Sequence, residues 1–567
     1  NESVAAHLSM VRVTPKASLR DKLEPVVGHL GTYFIRTRLI ASVLWMEIMR
    51  NYFLYGVLVL VLAVLPSLHI FPALEVYDEK RLFQVVLLIF VGLFFVGTRL
   101  IASLQDGESD NNARPYVMNS VATWGIAFFM LLGIVSIWLN GGWYYGLQEL
   151  SLYILLFAFM LFTAHIYVYT SDSITASDGI AYNRPFEKGM GLLLLLFGGL
   201  YALKFFVGYG MHWFIDYPLW PGARYQNTYF GFANMRFFNQ VQVWTLPLFV
   251  IWAVSLKKPP GFLKPRRFKI KYCFFFLAAF WWCLIIRSAG RGATLSLLVA
   301  AVIVLIIYKQ KSHSYIKHYI GAFISGFILK VLLFDLNSGG ASAKSLVRGG
   351  TGRLETWSSM IQASFSKPIL GYGPMSTAEW NGIISLAHPH NSVVQLLYEY
   401  GWPTMLIAVG LISWGLYRWF NQMSGRSMER SHGSEQKAIN GKPSGRSMLR
   451  PNIVKIGVST SLLAGLGYSL FSGVMVMPLS QLWLVLIGGW ALGIYIMNKS
   501  NKSKSDVPSF KNVASLTFKG FVLAATLFLS YSLISDVPQL KENQQQYRQE
   551  HGGKYHPRFW QQGKIGE

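Results

Sequence analysis

Apolar runs of roughly 17–22 residues recur along the whole chain, each long enough to cross the hydrocarbon core of a bilayer as a helix. Inside lipid every backbone N–H and C=O needs an internal partner, so such runs have to be helical. Thirteen are predicted, at about 52–70, 82–98, 118–138, 147–170, 189–209, 240–256, 272–287, 292–308, 318–334, 400–420, 456–474, 479–497 and 516–535. Composition agrees. Only 14% of the 567 residues are charged and 53% are hydrophobic, against about 25% charged in an ordinary soluble protein. The expected fold is an all-α polytopic membrane protein with about thirteen transmembrane helices.

The formal net charge of +25 would suit a nucleic-acid binder, but its placement argues otherwise. Basic residues gather in alternate loops: Lys257, Lys258, Lys264, Arg266, Arg267, Lys269 and Lys271 after the sixth run, Lys309, Lys311 and Lys317 after the eighth, and further sets after the tenth and twelfth. The positive-inside rule places these loops in the cytoplasm, and nucleic acid would need one continuous basic surface instead. The first span is expected to be an uncleaved anchor, since no short signal segment with a small-residue cleavage site precedes it. Cys273 and Cys283 both fall in the seventh run, so no disulfide framework is implied.

The expected organisation follows from these runs. Residues 1–51 form a cytoplasmic tail, with Phe34–Met49 either an interfacial helix or an extension of the first span. Residues 52–420 form the core, with long exterior loops at 209–240 and, between the ninth and tenth spans, at 335–391. Residues 421–455 are a basic linker, 456–535 the last spans, and 536–567 an exterior polar tail too short for a core of its own. The orientation has the N-terminus in the cytoplasm and the C-terminus outside.

Ligands need concave, partly polar space, which directs attention to the two long loops. The second ends in "AHPHNSVVQLLYEYG" (387–401). His390 there either caps the following helix or anchors in the headgroup region, or else, kept neutral by the positive end of the helix dipole, accepts a proton as a general base. His388 reads as structural, and His165, deep in the fourth run, as a hydrogen-bonded core residue. Arg291 stands between Gly290 and Gly292 in a very short turn, four residues after Arg287. Both arginines could snorkel to lipid phosphates, but the glycines serve no such purpose and would let the backbone approach a ligand. Arg224 and Arg236 are interleaved with aromatic residues in the first long loop, and guanidinium forks grip phosphate oxygens. Arg353 and Trp357 share a face of a short amphipathic segment expected to lie over the membrane. No metal-ligand spacing and no nucleotide-binding fingerprint is present, so neither metal nor cofactor is expected. Chemistry outside the membrane without either requires a pre-activated donor, such as a diphosphate-linked lipid glycan.

Three stretches, "FGFANMRFFNQ" (230–240), "SAGRGATLSLLVA" (288–300) and "GRLETW…PILGYGP…HPHNSVVQLLYEYG" (352–401), together resemble the O-antigen ligase and O-antigen polymerase superfamily of bacterial membrane glycosyltransferases. The resemblance covers roughly 190–420. It implies a large periplasmic loop before a late span, an inner-membrane location, and metal-independent transfer of a glycan from undecaprenyl diphosphate, with inversion. It gives His390 the role of the essential histidine and Arg291 that of the arginine after the short turn. Either Arg224 or Arg236 becomes the first-loop arginine. His388, Asn391, Arg353 and Arg287 are secondary candidates. The implied acceptor is a lipid A–core sugar, the alternatives being a growing O-antigen chain or a protein Ser or Thr. From another class, a polysaccharide-lipid transporter would use the same arginines only to guide its cargo, though the internal repeats common in transporters are missing. At Thr404 the ligase pattern often has a second glycine, three residues after Gly401, so the subfamily stays open.

Overall fold

The computed structural model describes residues 56, 59–65, 69–105, 120–178, 185–215, 231–232, 234–255, 265–336, 352–378, 387–424, 451–500, 513–550 and 557–560. The chain divides into two units, Asn1–Leu60 and Val61–Glu567, and the description below concerns the second.

The described residues of this unit are helical, with no strand among them. In chain order the helices are α1 (Val76–Gln105), α2 (Ser120–Asn140), α3 (Trp143–Asp178), α4 (Pro185–Ile215), α5 (Met235–Ser255), α6 (Pro265–Arg287) and α7 (Arg291–Tyr308). They continue with α8 (His313–Lys330, extended by a π turn to Asp335), α9 (Arg353–Ser364), α10 (Ser392–Ser424), α11 (Pro451–Ser469), α12 (Pro478–Ser500), α13 (Val513–Asp536) and α14 (Leu540–Glu550). Twelve of the apolar runs, from 82 onward, fall on these helices to within a few residues, while the run at 52–70 is described only in part, at 56, 59–65 and 69–70.

Seven stretches among the described residues are long and apolar enough to cross a membrane: Trp143–Val168, Pro185–Met211, Met235–Val254, Ile270–Arg287, Arg291–Asp335, Pro478–Met497 and Thr517–Gln549. One of them, Arg291–Asp335, holds two helices, because Lys309 breaks it with a φ of 47°. The helical membrane architecture therefore stands. The number of passes and the side on which the long loop lies belong with the proposal below.

Helix α5 is central and almost wholly buried, packed against α6, α8, α11 and α12. Its polar side chains are paired with neighbours: the Trp244 indole donates to Ser480 (3.0 Å), and Trp281 of α6 donates to Thr245 (3.0 Å). Small residues admit close helix approach where lipid supplies no hydrophobic drive. At Gly326 of α8 a Cβ would sit 2.5 Å from the Ala279 carbonyl oxygen of α6. The start of α5, the α6–α7 turn, α9, the loop before α10 and the loop after α11 meet at one end of this core, as the contacts below show.

Candidate active site at the start of α10

The Asn391 carboxamide accepts the backbone N–H groups of Val393 (3.0 Å) and Val394 (3.1 Å). It is thus the N-cap of α10, so the cap is Asn391 and not His390. His390 has a φ of 58°, in the left-handed region that non-glycine residues rarely adopt. Its N–H donates to Nδ1 of His388 (3.3 Å), and the two rings stand 4.2 Å apart at 80°. His388 is buried against Gly473 of the α11–α12 loop, where a Cβ would come within 2.6 Å of its ring. Through Nδ1 it holds the backbone of its neighbour.

The helix that starts here is broken nine residues later. Gly401 has φ 80° and ψ 174°, and Pro403 has no N–H to offer the preceding turn. The carbonyls so released are captured by the Gly371–Pro374 turn: Tyr372 N–H donates to Tyr398 and Gly373 N–H to Glu399, both at 2.9 Å. Trp402 N–H donates in turn to Pro368 (2.8 Å). The backbones touch so closely that a Cβ on Gly401 would lie 2.4 Å from the Ile369 carbonyl oxygen. This explains the glycine eleven residues after His390. Helix α9 packs on α10. Met360 packs with Val394 and Tyr398 of α10, and the Trp357 indole donates to the Pro389 carbonyl between the two histidines (2.8 Å).

The charges of Arg236 and Arg353 reach this loop, and that of Arg291 reaches Arg353. Arg236 lies in the first turn of α5, Arg291 opens α7 and Arg353 opens α9. The elements are joined by direct contacts. Asn239 and Ser288 exchange hydrogen bonds at 2.9 and 3.1 Å, Gln240 donates to Ser472 (2.9 Å), and Arg353 Nη1 donates to the Phe471 carbonyl (2.8 Å). Burial first and then the charge of Arg236 lower the pKa of Arg353; Tyr468 opposes them, and Arg291 adds the smallest contribution, also downward. Burial first, then the charges of Arg353 and Arg236, pushes the His390 imidazole down to about 3. The ring is therefore neutral at pH 7, with burial, Arg353 and Arg236 as the causes.

Other expectations fare differently. The space beside Gly290 is filled by Asn239, and that beside Gly292 by Tyr468 and Phe471, so both glycines serve protein packing and not approach to a ligand. Arg287 sits over the Phe334 ring, 4.9 Å from its centroid, and is not among the charges acting on His390. His165 is exposed on α3 and is no core histidine. Arg224 lies outside the described residues.

Farther along α10 lies a second charged group. Glu399 and Glu149 of α3 share the Arg558 guanidinium, at 2.7 and 2.6 Å, with all three side chains buried. The signal for it was present in the sequence, because carboxylates inside apolar helices are costly and need a partner. The partner was hidden in a polar tail more than 150 residues away.

The site thus sets a half-buried neutral imidazole among guanidinium groups, on a helical scaffold with stretches long and apolar enough to cross a membrane. Residues 274–409, from α6 through the first part of α10, match the family model described as O-antigen ligase. This match supports the resemblance to the O-antigen ligase superfamily, a family that suggests a glycosyltransferase-like enzyme. No curated protein matches the chain.

Proposed function

We propose that this protein transfers a glycan from undecaprenyl diphosphate to an acceptor hydroxyl at the periplasmic face of the bacterial inner membrane, and that the acceptor is a lipid A–core sugar. The observation that carries this reading is the meeting of neutral His390 with Arg236 and Arg353, which Arg291 joins through its action on Arg353. The excess of Lys and Arg in alternate loops supports thirteen passes with the site outside, the N-terminus in the cytoplasm and the C-terminus in the periplasm.

In this reading the arginines hold the diphosphate, and planar forks suit its oxygens. The His390 imidazole accepts the hydrogen bond of the acceptor hydroxyl and takes its proton as the oxygen attacks the anomeric carbon. The new bond is C1–O(acceptor) and the bond broken is C1–O(phosphate). Undecaprenyl diphosphate leaves with the electron pair, its charge held by the guanidinium groups, and attack from the opposite face inverts the anomeric centre. The proton on His390 is then lost to solvent. Neither metal nor cofactor takes part.

The test supplies purified protein in lipid nanodiscs with undecaprenyl-diphosphate-linked glycan, lipid A–core and chelator, and follows products by mass spectrometry. Glycosylated core that disappears with His390→Ala is the expected result. A lengthened lipid-linked glycan would make the protein a polymerase, and glycosylated Ser or Thr in an added protein would make it a protein O-oligosaccharyltransferase. Vectorial movement of the lipid-linked glycan without any new glycosidic bond would make it a transporter. Full transfer by His390→Ala would remove the proposed base.

A further inference from the structure

The tail segment 557–560 has no place in the site just described, yet it is held more tightly than a polar tail requires. The Arg558 side chain is 1% exposed. Nη2 donates to Glu149 (2.6 Å) and to both oxygens of Glu399 (2.8 and 2.7 Å), while Nη1 donates to the Thr377 hydroxyl (3.2 Å). Burial works against the charge of Arg558, but Glu149 and Glu399 outweigh it, so its pKa is raised. Thr377 carries the connection onward: its hydroxyl contacts Glu399 at 2.5 Å and the Ala387 carbonyl at 3.2 Å, one residue before His388. Three links therefore run from Arg558 to the residue whose ring receives the His390 N–H.

The backbone of the same segment reaches the opposite wall. The Arg558 carbonyl accepts from Tyr77 (2.5 Å) and Arg81 (3.2 Å) of α1, and the Phe559 carbonyl accepts from Arg81 Nε (2.9 Å). Tyr77 and Arg81 also donate to the Val476 carbonyl. Val476 ends the α11–α12 loop that receives Arg353 on Phe471, pairs Ser472 with Gln240 and seats His388 on Gly473. The Trp560 indole anchors the segment to Asp536 (2.7 Å).

We propose that residues 557–560 form a strap whose Arg558 is a positioning residue, tying the histidine wall of the site (Thr377, Ala387–His390 and the first half of α10) to the arginine wall (the α11–α12 loop). The strap touches neither donor nor acceptor. It fixes the distance between the base and the cations, and in that respect the inference rests on the transfer reading above.

Arg558→Met alone would strand two buried carboxylates, so the variant to measure is R558M/E149Q/E399Q, which leaves the cluster neutral. Its kcat for glycan transfer is expected to fall by about 100-fold, the cost of a small misplacement remote from the chemistry. KM for the lipid-linked donor is expected to stay within about twofold, because the arginines that bind it are untouched. Backbone amide exchange over 387–396 and 470–477 is expected to speed up by about tenfold while α6 and α12 keep their protection. Wild-type kcat, unchanged exchange in those two segments, or faster exchange throughout the chain would overturn the strap. If the wild-type protein transfers no glycan from any donor, the transfer reading fails, while the exchange measurement still decides whether the strap holds the loops.

Discussion

The electrostatics of His390 can be tested by pH alone. An unperturbed imidazole titrates near 6.5, and here burial, Arg353 and Arg236 push it down to about 3. At pH 5 an ordinary histidine is about 97% protonated, whereas one at about 3 is roughly 1% protonated. A base that must be neutral to work would then be fully available across the range in which an unperturbed one switches off. The acid limb of kcat/KM, which reports the free enzyme, should consequently be absent between pH 5 and 8. Binding a diphosphate places negative charge beside the two guanidinium groups, so the limb of kcat should move upward relative to that of kcat/KM. Arg353→Gln removes one of the two charges and should raise both. Folding stability must change as well. Between pH 6.5 and 3 the unfolded chain binds a proton at this position and the folded chain does not, so stability falls as pH is lowered. The loss is about 1.4 kcal/mol per pH unit, or roughly 2 kcal/mol at pH 5. The assay is transfer rate against pH on the purified protein, with His390 followed by NMR of ring-labelled histidine. A free-enzyme ionisation near 6.5 that vanishes in His390→Ala would refute the reasoning.

Three further outcomes follow from the same geometry. Gly401→Ala should cost about 3–5 kcal/mol, combining a backbone conformation essentially reserved for glycine with a Cβ driven into the Ile369 carbonyl; a melting temperature unchanged in detergent would show that the kink is not held by this contact. Asn391→Ala should lose about 1 kcal/mol of stability through the missing cap and loosen His390, while Asn391→Ser keeps most of both; equal thermal shifts for the two would argue against capping. Arg291→Lys keeps the charge but not the fork, and transfer should fall by about tenfold or more if two-point phosphate binding matters; wild-type turnover would leave Arg291 as a point charge.

How much of this was legible in the sequence depended on the range of the interactions involved. Helices of α3 to α7 announce themselves through local apolar runs, because lipid leaves the backbone no alternative. His390, Arg291 and Arg353 were legible because each stands beside a local irregularity: a proline, a pair of glycines, a turn. The roles of those irregularities were less so. Gly290 and Gly292 looked like room for a ligand, but the neighbouring helices fill that room, and only tertiary packing could say so. Asn391 took the cap from His390 by a one-residue offset that periodicity does not resolve. The pairing of Arg558 with Glu149 and Glu399 was beyond reach in another way. The acids marked a need, but a polar tail rich in Gln, Lys and Arg offers several cations, and nothing local distinguishes the one that inserts.

The two charged groups follow opposite electrostatic rules: the strap's is buried, whereas around His390 Arg353 is half-buried and Arg236 and Arg291 are exposed. In the strap two carboxylates face one guanidinium, the ions are hydrogen-bonded on several sides, and the group satisfies itself within the protein. Breaking one member would cost about 3–5 kcal/mol, which suits a fixed tie. Around His390 the charges that act on the ring are both positive, and Arg353 in turn feels Arg236 and Arg291. Cations held together raise one another's energy, and burial of Arg353 adds to it. In the transfer reading proposed above, the donor diphosphate is what relieves this repulsion, since its oxygens can engage more than one guanidinium and a neutral sugar cannot. On that reading the repulsion that holds His390 neutral slackens once the donor is bound, so the step that fills the site also brings its base closer to the pH at which it has to work.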